Sequence, residues 1–398
     1  MQAQDTKTAY AKSVIVSGTN WETALQEATS QMRPFLDRVK TVDILFVFAS
    51  AGYLENYQDL LKAAKNETNA TYIIGCSGAG IIGKEKEVED RPALALLALS
   101  LPGVELFPAR LTLPDLRDYL SLEDLRLPQF NHSGVKGWFL LADPFSMDVE
   151  ALLAIMGKEY PKVPLIGGLA STNMLRTYLF MDEEVYTDGA VMLGIGGAYS
   201  IKAVVSQGAM PIGEAWMVTK ADGQVIEEIS GKPAYERLAE TFVSLTPELQ
   251  MKARYNLLLG LAIDEYKDSF KRGDFLIRNL GGIDQRNGAI MVGGLPKIGQ
   301  TLQFQLRDAE AADEDLNILL ETAKTELGDQ EPLAGLLFSC NGRGVGLFKE
   351  PDHDAKAIAN YFQSLPLAGF FCNGEIGPVG GKNFLHGFTA SIGMIVKG

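Results

Sequence analysis

The chain has 398 residues, 46% of them hydrophobic and 22% charged, which is enough for more than one core and unlike a disordered chain. Its 50 acidic against 36 basic residues give a net charge of −14 with no basic run, which excludes the cationic footprint of a nucleic-acid binder or of a protein held on an anionic membrane. Residues 1–12 are polar and lack the apolar core of a secretory leader, the apolar run 93–99 is far too short to span a bilayer, and three cysteines in so long a chain read as reduced thiols, so the expected location is the cytoplasm.

Short apolar runs alternate with helical patterns in one recurring order. A strand at 43–48, a helix at 57–65 and a strand at 71–75 lead into the turn Cys76–Gly80 and a further strand at 93–99. The order returns as strand 137–142, helix 147–160, strand 163–166, turn Gly167–Gly168 and strand 190–195. It returns again as strand 333–340, helix 354–365, strand 367–371, turn Cys372–Gly374 and strand 388–396. The spacing suits strand-helix-strand crossovers, which join parallel neighbours. Between the second and third occurrences, a Gly/Pro break at 208–213 precedes β-like runs at 215–219, 225–229, 275–279, 289–292 and 301–306. Thr246-Pro247 is a cap and first-turn pair for a helix, and 309–327 is an amphipathic helix with an acidic start. The expected fold is α/β: two domains, 1–209 and 210–398, built from strand-helix-strand units with mixed sheets, the second half more antiparallel.

Two glycine motifs fail on context. Gly78-Ala79-Gly80-Ile81-Ile82-Gly83 has dinucleotide-fingerprint spacing, but the charged Lys84–Glu87 follows where an amphipathic helix is needed, so it reads as a Gly-rich turn. Gly380-Gly381-Lys382 resembles the end of a phosphate-binding loop, but Asn383 replaces the metal-binding hydroxyl and a strand follows. Cys340, Cys372 and His386 lack metal-ligand spacing, and no metal is assigned.

The denser signal is C-terminal. Ser339-Cys340-Asn341-Gly342-Arg343 ends one strand and Cys372-Asn373-Gly374-Glu375 ends the next. Parallel strands deliver both loops to one carboxyl edge, where open α/β sheets bind ligands. There Arg343 would grip a carboxylate, Glu375 would accept an ammonium, and His386 would donate or accept near neutrality. The competing reading pairs Arg343 with Glu375 as a structural ion bridge.

The segment GFFCNGEIGPVGGKNFLHGFTASIGMIV, 369–396, resembles the end of the FIST C domain, and 277–316 resembles that domain's earlier core. Segments 43–111 and 188–197 resemble the FIST N domain. The resemblance implies a FIST N-like domain over 1–209 and a FIST C-like domain over 210–398. It implies a sensory protein whose ligands are small molecules such as amino acids, with Asn373, Glu375 and His386 matching the family's characteristic loop. The expected function is a sensor that takes an amino-acid-like ligand at Asn341, Arg343, Cys372, Asn373, Glu375 and His386 and signals to a separate partner, without catalytic residues, nucleic acid or membrane insertion. Two alternatives stay open. One, implied by a subset of the family, is a haem-based nitric oxide sensor acting on a partner histidine kinase, with His132, His353, His386 or a cysteine as axial ligand. The other is a Cys/His-dependent acyl-transfer or amidohydrolase-like enzyme.

Overall fold

Strand Val42–Ser50 shows how the apolar runs are used. Its alternate residues face opposite ways, as a pleated strand requires. Ile44, Phe46 and Phe48 enter one core, whereas Leu45, Val47 and Ala49 enter another with helices Trp21–Leu36 and Tyr57–Thr68. A strand covered on both faces needs the unbroken apolar run seen in the sequence. The computed structural model describes residues 8–121, 130 and 132–398, so the polar N-terminus falls outside it up to residue 7.

The chain divides into two compact units, Met1–Val205 with Leu319–Gly398, and Ser206–Ile318. The sequence reading put one boundary at 209/210. The chain leaves the first unit close to that point but returns to it at Leu319, because strand Ala390–Lys397 is hydrogen-bonded between Tyr199–Ser206 and Ala334–Cys340. Long-range strand pairing of this kind has no local sequence signal. The second unit therefore interrupts, in sequence, the last of three repeats.

Each repeat supplies four strands to its own sheet. In sheet order these are Tyr10–Ser17, Ala93–Ser100, Val42–Ser50 and Ala70–Gly78; then Val104–Leu111, Ala190–Gly197, Val135–Ala142 and Leu165–Leu169; then Tyr199–Ser206, Ala390–Lys397, Ala334–Cys340 and Leu367–Cys372. In every sheet the last two strands are parallel, as the crossover spacing predicts, and the middle two are antiparallel. The sheets share an inner core, in which Phe46 meets Phe139 edge-on at 5.5 Å and Phe48 stacks on Phe370 at 5.3 Å.

Each sheet is completed by a hairpin from another repeat. Leu179–Met181 with Glu184–Tyr186, from the second repeat, joins Ala70–Gly78 of the first sheet. Glu375–Val379 with Lys382–His386, from the third, joins Leu165–Leu169 of the second sheet. Ile81–Gly83 with Lys86–Val88, from the first, joins Leu367–Cys372 of the third sheet. The exchange is cyclic, and it consumes both glycine motifs. Gly78 and Gly80 lead into a strand, and a Cβ on either would collide with Phe370 or Phe371. Gly380 and Gly381 form a hairpin turn, both with positive φ.

One glycine recurs at the same place in each repeat. Gly75, Gly167 and Gly369 lie opposite Val47, Leu140 and Leu337 in the parallel pairs, and a Cβ at any of the three would stand 1.8 Å from that neighbour's carbonyl oxygen. These coincidences of register, topology and close approach mark three copies of one structural unit.

The second unit is an antiparallel barrel. Met210–Asp222, Thr301–Leu306, Leu257–Ala262, Phe275–Asp284, Ala289–Val292 and Val225–Ile229 pair in that order, and the last closes back on the first. Its core gathers Ile212, Val218, Ile226, Leu259, Leu302 and Phe304. The expected cap is present: Leu249 donates its N–H to Thr246 Oγ1 at 3.3 Å, with Pro247 in the first turn. Among the described residues no helix is long and apolar enough to cross a membrane.

Candidate functional site

The turns that follow the third strand of each repeat meet and are sewn together. Ser77 Oγ donates to the Ser171 carbonyl at 2.9 Å, and Ser171 N–H donates back to the Ser77 carbonyl at 3.2 Å. Ser171 Oγ accepts from Ala79 N–H at 2.8 Å and donates to the Phe371 carbonyl. Asn373 Nδ2 donates to the Ala170 carbonyl at 3.1 Å, and Asn373 N–H to Leu169 at 3.1 Å.

Of the six residues expected to line one pocket, two form an exposed pair at this junction. Asn341 Nδ2 donates to Asn373 Oδ1 at 2.9 Å. The other four, Arg343, Cys372, Glu375 and His386, are buried.

Arg343 is fully buried, and two of its guanidinium nitrogens are held by one carboxylate. Its Nε and Nη2 each donate at 2.8 Å to the two oxygens of Asp354, a bidentate pair in which Asp354 is equally buried. Asp354 also accepts from Ser339 Oγ at 2.8 Å and lies 3.0 Å from His353 Nδ1. Burial works against its ionisation, but the Arg343 charge and these hydrogen bonds hold its carboxyl well below the usual range. Glu87, carried on the exchanged hairpin, accepts from Ala355 N–H at 2.9 Å. Burial and then the Asp354 charge push it up to about 8. The ion-pair partner of Arg343 is Asp354 rather than the Glu375 of the competing reading. The partner was missed because Asp354 reads in sequence as an ordinary acid in the first turn of helix His353–Tyr361.

Glu375 sits in the inner core. It pairs across from Gly168, where the equivalent hairpin positions of the other repeats put Ile81 opposite Phe370 and Leu179 opposite Cys76. Ile81 and Leu179 are core residues, whereas the third repeat places a carboxyl there with no exposed surface. Gly168 leaves space for the neighbouring Cys372, since a Cβ on it would lie 2.4 Å from Cys372 Sγ. Thr389 N–H donates to Glu375 Oε2 at 2.9 Å. Burial pushes Glu375 up to about 8, against the pull of Thr389, Cys340 and Arg343. Thr389 and Cys340 were not among the expected site residues. Cys340 carried a signal, since it ends a strand and opens an Asn-Gly turn.

The raised carboxyl has a consequence for stability. The folded state holds the proton of Glu375 more tightly than the unfolded chain, so its stabilising contribution is complete below about pH 4.5 and is lost as pH rises to about 8. Glu375→Gln keeps an acceptor for Thr389 and cannot ionise. Denaturant titrations should show unfolding free energy declining with pH across that window in the parent, and the decline reduced by about 1 kcal/mol or more in the variant. Equal slopes would contradict a buried, protonated Glu375.

His386 is 4% exposed, and its Nε2 lies 2.9 Å from the Gly377 carbonyl, which requires an N–H there. His353 is stacked on Phe348 at 3.3 Å and engaged by Asp354, and His132 lies tilted against Phe107 at 4.6 Å. Burial pushes the Cys76 and Cys372 thiols well up, away from the thiolate that binds iron. None of the three cysteines is in a disulfide, and Cys340 and Cys372 lie directly opposite one another in the parallel pair.

Comparison with known proteins places this arrangement. The FIST N domain model matches residues 43–232 and the FIST C domain model residues 234–378. An uncharacterized protein of Mycobacterium tuberculosis (strain ATCC 25618 / H37Rv) is 39% identical over 361 residues, covering 89% of this chain and 92% of its own. An uncharacterized protein of Mycobacterium bovis is 35% identical over 378 residues, covering 94% and 95%. An F-box/LRR-repeat protein of Arabidopsis thaliana is 36% identical over 84 residues, 20% of this chain and 16% of that protein. Among solved structures, cyanuric acid hydrolase from A. caulinodans aligns over 98% of this chain and 99% of its own at 8% identity, with a TM-score of 0.36, a likeness too weak to bear on function. With family models covering most of its length and relatives matched nearly end to end, this chain belongs to the FIST family, carrying both its N and its C domain.

Proposed function

We propose that this protein is a small-ligand sensor whose ligand site lies at the junction of the three repeats, with the exposed Asn341–Asn373 pair at its rim and Glu375 beneath, and that it signals to a separate partner protein. FIST domains suggest a sensory, signal-transducing role with small-ligand binding. The observation that carries the reading is the Glu375 carboxyl, buried where the equivalent positions are Ile81 and Leu179. Burying a carboxyl costs stability that an apolar residue would not, so a polar group at a core position of one repeat fits a recognition role. The ligand is amino-acid-like: its ammonium meets Glu375, and its carboxylate takes donors from the amide rim, because Asp354 occupies Arg343. A ligand signals only by binding two conformations unequally, and the hydrogen-bonded turns of three repeats are a junction that such a ligand can bias.

Isothermal titration calorimetry against a panel of free amino acids and primary amines tests this. At least one is expected to bind, and Glu375→Gln should weaken it about tenfold or more, a loss of about 1.4 kcal/mol, without lowering the melting temperature of the empty protein. No binding across the panel, or equal binding by the variant, would end the reading.

A further inference from the structure

The hairpin Ile81–Gly83/Lys86–Val88 does more than extend the third sheet. Its acids close the open N-terminal ends of two helical turns in the third repeat. Glu87 Oε1 accepts from Ala355 N–H at 2.9 Å, in the first turn of helix His353–Tyr361. Glu87 N–H in turn donates at 2.8 Å to Oδ1 of Asp352, the residue preceding that helix. Two residues on, Glu89 Oε1 accepts from Val345 N–H at 3.0 Å, at the start of the turn Gly344–Phe348.

Glu87 is 7% exposed, and its other oxygen, Oε2, is buried with no hydrogen-bond partner among the described residues. The groups that face it are mostly of its own sign. Asp354, next to Ala355, is a buried carboxylate held bidentately by Arg343 and approached by His353 Nδ1. Asp352 is paired with Lys356 at 3.2 Å, and Glu89 lies on the same segment as Glu87. An ionised Glu87 would put a second buried anion beside Asp354, with one oxygen stripped of water. A protonated Glu87 keeps Oε1 as the acceptor for Ala355 and removes that charge.

We propose that this hairpin is a pH-sensitive clasp: protonated Glu87 latches it onto the third repeat, and loss of the proton loosens it and bares the edge of strand Leu367–Cys372. Burial first, then the Asp354 charge, with Glu89 and Asp352 acting the same way, push Glu87 up to about 8 against the pull of the Ala355 N–H. In a released hairpin the carboxyl meets water and ionises near its ordinary 4.5. The closed clasp thus binds a proton that the open one gives up. Closure is tightest below about pH 4.5, weakens by up to about tenfold per pH unit as pH rises, and levels off above about 8.

Ile81, Ile82 and Gly83 pair with Phe370, Gly369 and Ala368, and the same host strand runs on into Asn373 at the junction of the repeats. The pH across the neutral range therefore sets how firmly that turn is held. No ligand is needed for this switch, so it stands whether or not an amino acid binds at the junction.

The test is hydrogen exchange of the full-length protein from about pH 5.5 to about 8.5, read by mass spectrometry as protection factors, which removes the intrinsic rise of exchange with pH. Peptides covering residues 81–89 and 344–358 are expected to lose protection by about tenfold or more across that range. The hairpin at 179–186, which the second repeat lends to the first sheet, is expected to stay within about threefold. Glu87→Gln keeps an acceptor for Ala355 N–H and cannot ionise, so it should abolish the pH dependence at 81–89 and 344–358. Glu375 and His353 remain in the variant, and their titration cancels in the comparison. Protection at 81–89 that is flat with pH in the parent, or that falls equally in the variant, overturns the proposal. So does an equal fall at 179–186, which would mean a general loosening of the fold. Should the variant not fold, the contrast between the two hairpins of the parent decides alone.

Discussion

Asp354→Ala is expected to destabilise the protein by about 3–5 kcal/mol, measured by denaturant unfolding near neutral pH. The change leaves the Arg343 guanidinium buried and without its counter-charge, and it strips the hydrogen-bond partner from Ser339. The intact pair gains less than that figure, because both charges were taken out of water to form it. The double variant Arg343→Met/Asp354→Leu should therefore recover much of the loss, since no charge is stranded. Glu87 adds a second reading. With Asp354 gone, the push on Glu87 from that charge disappears while Arg343 remains, so Glu87 is expected to ionise at lower pH and partly replace the missing counter-ion. A loss below about 1 kcal/mol for the single variant would show that the pair is not buried as described.

Gly369→Ala should be worse still, with a loss above about 4 kcal/mol and little folded protein recovered. The new Cβ would stand 1.8 Å from the Leu337 carbonyl oxygen, and the obstacle is backbone in the middle of a parallel pair, so no side chain can rotate away. Gly75→Ala and Gly167→Ala meet the same oxygen in the other two sheets and should behave alike. Gly157→Ala is the control. It lies in helix Val149–Glu159 with nothing within 4 Å of its Cβ, so it should stabilise by up to about 1 kcal/mol. Thermal melts of the four variants should separate cleanly; a folded Gly369→Ala with parent-like melting would refute the close approach.

These two sites also show what was legible in the sequence and what was not. The threefold recurrence of strand, helix and strand was visible because periodicity and crossover length are local properties. So was the parallel pairing of Ala334–Cys340 with Leu367–Cys372, and hence the nearness of Asn341 to Asn373. The hairpins were not visible, since Ile81–Gly83 and Leu179–Met181 are three residues long and read as turn or loop until the distant strand beside them is known. The return of residues 319–398 to the first unit was hidden for the same reason. At the site, residue types singled out Arg343 and Glu375 but did not reveal that Asp354 pairs with the one and Thr389 donates to the other. Charge pairing inside a core depends on which side chains the pleat turns inward, and composition does not carry that. Glu375 stood out only after the topology had aligned it with Ile81 and Leu179.

The cyclic exchange of hairpins bears on how the chain can be made. A ribosome that has released residues up to 205 has delivered all four strands of the first two sheets, yet the hairpin Glu375–Val379/Lys382–His386 that covers the edge of Leu165–Leu169 is still untranslated. The hairpin Ile81–Gly83/Lys86–Val88 meanwhile waits for a sheet that does not yet exist. The nascent protein thus carries an open strand edge and an orphaned hairpin until almost its last residues emerge, a state that invites pairing with other chains. The first half of the sequence is therefore not a folding unit, and a gene truncated at that point should yield an aggregating product rather than a smaller folded protein.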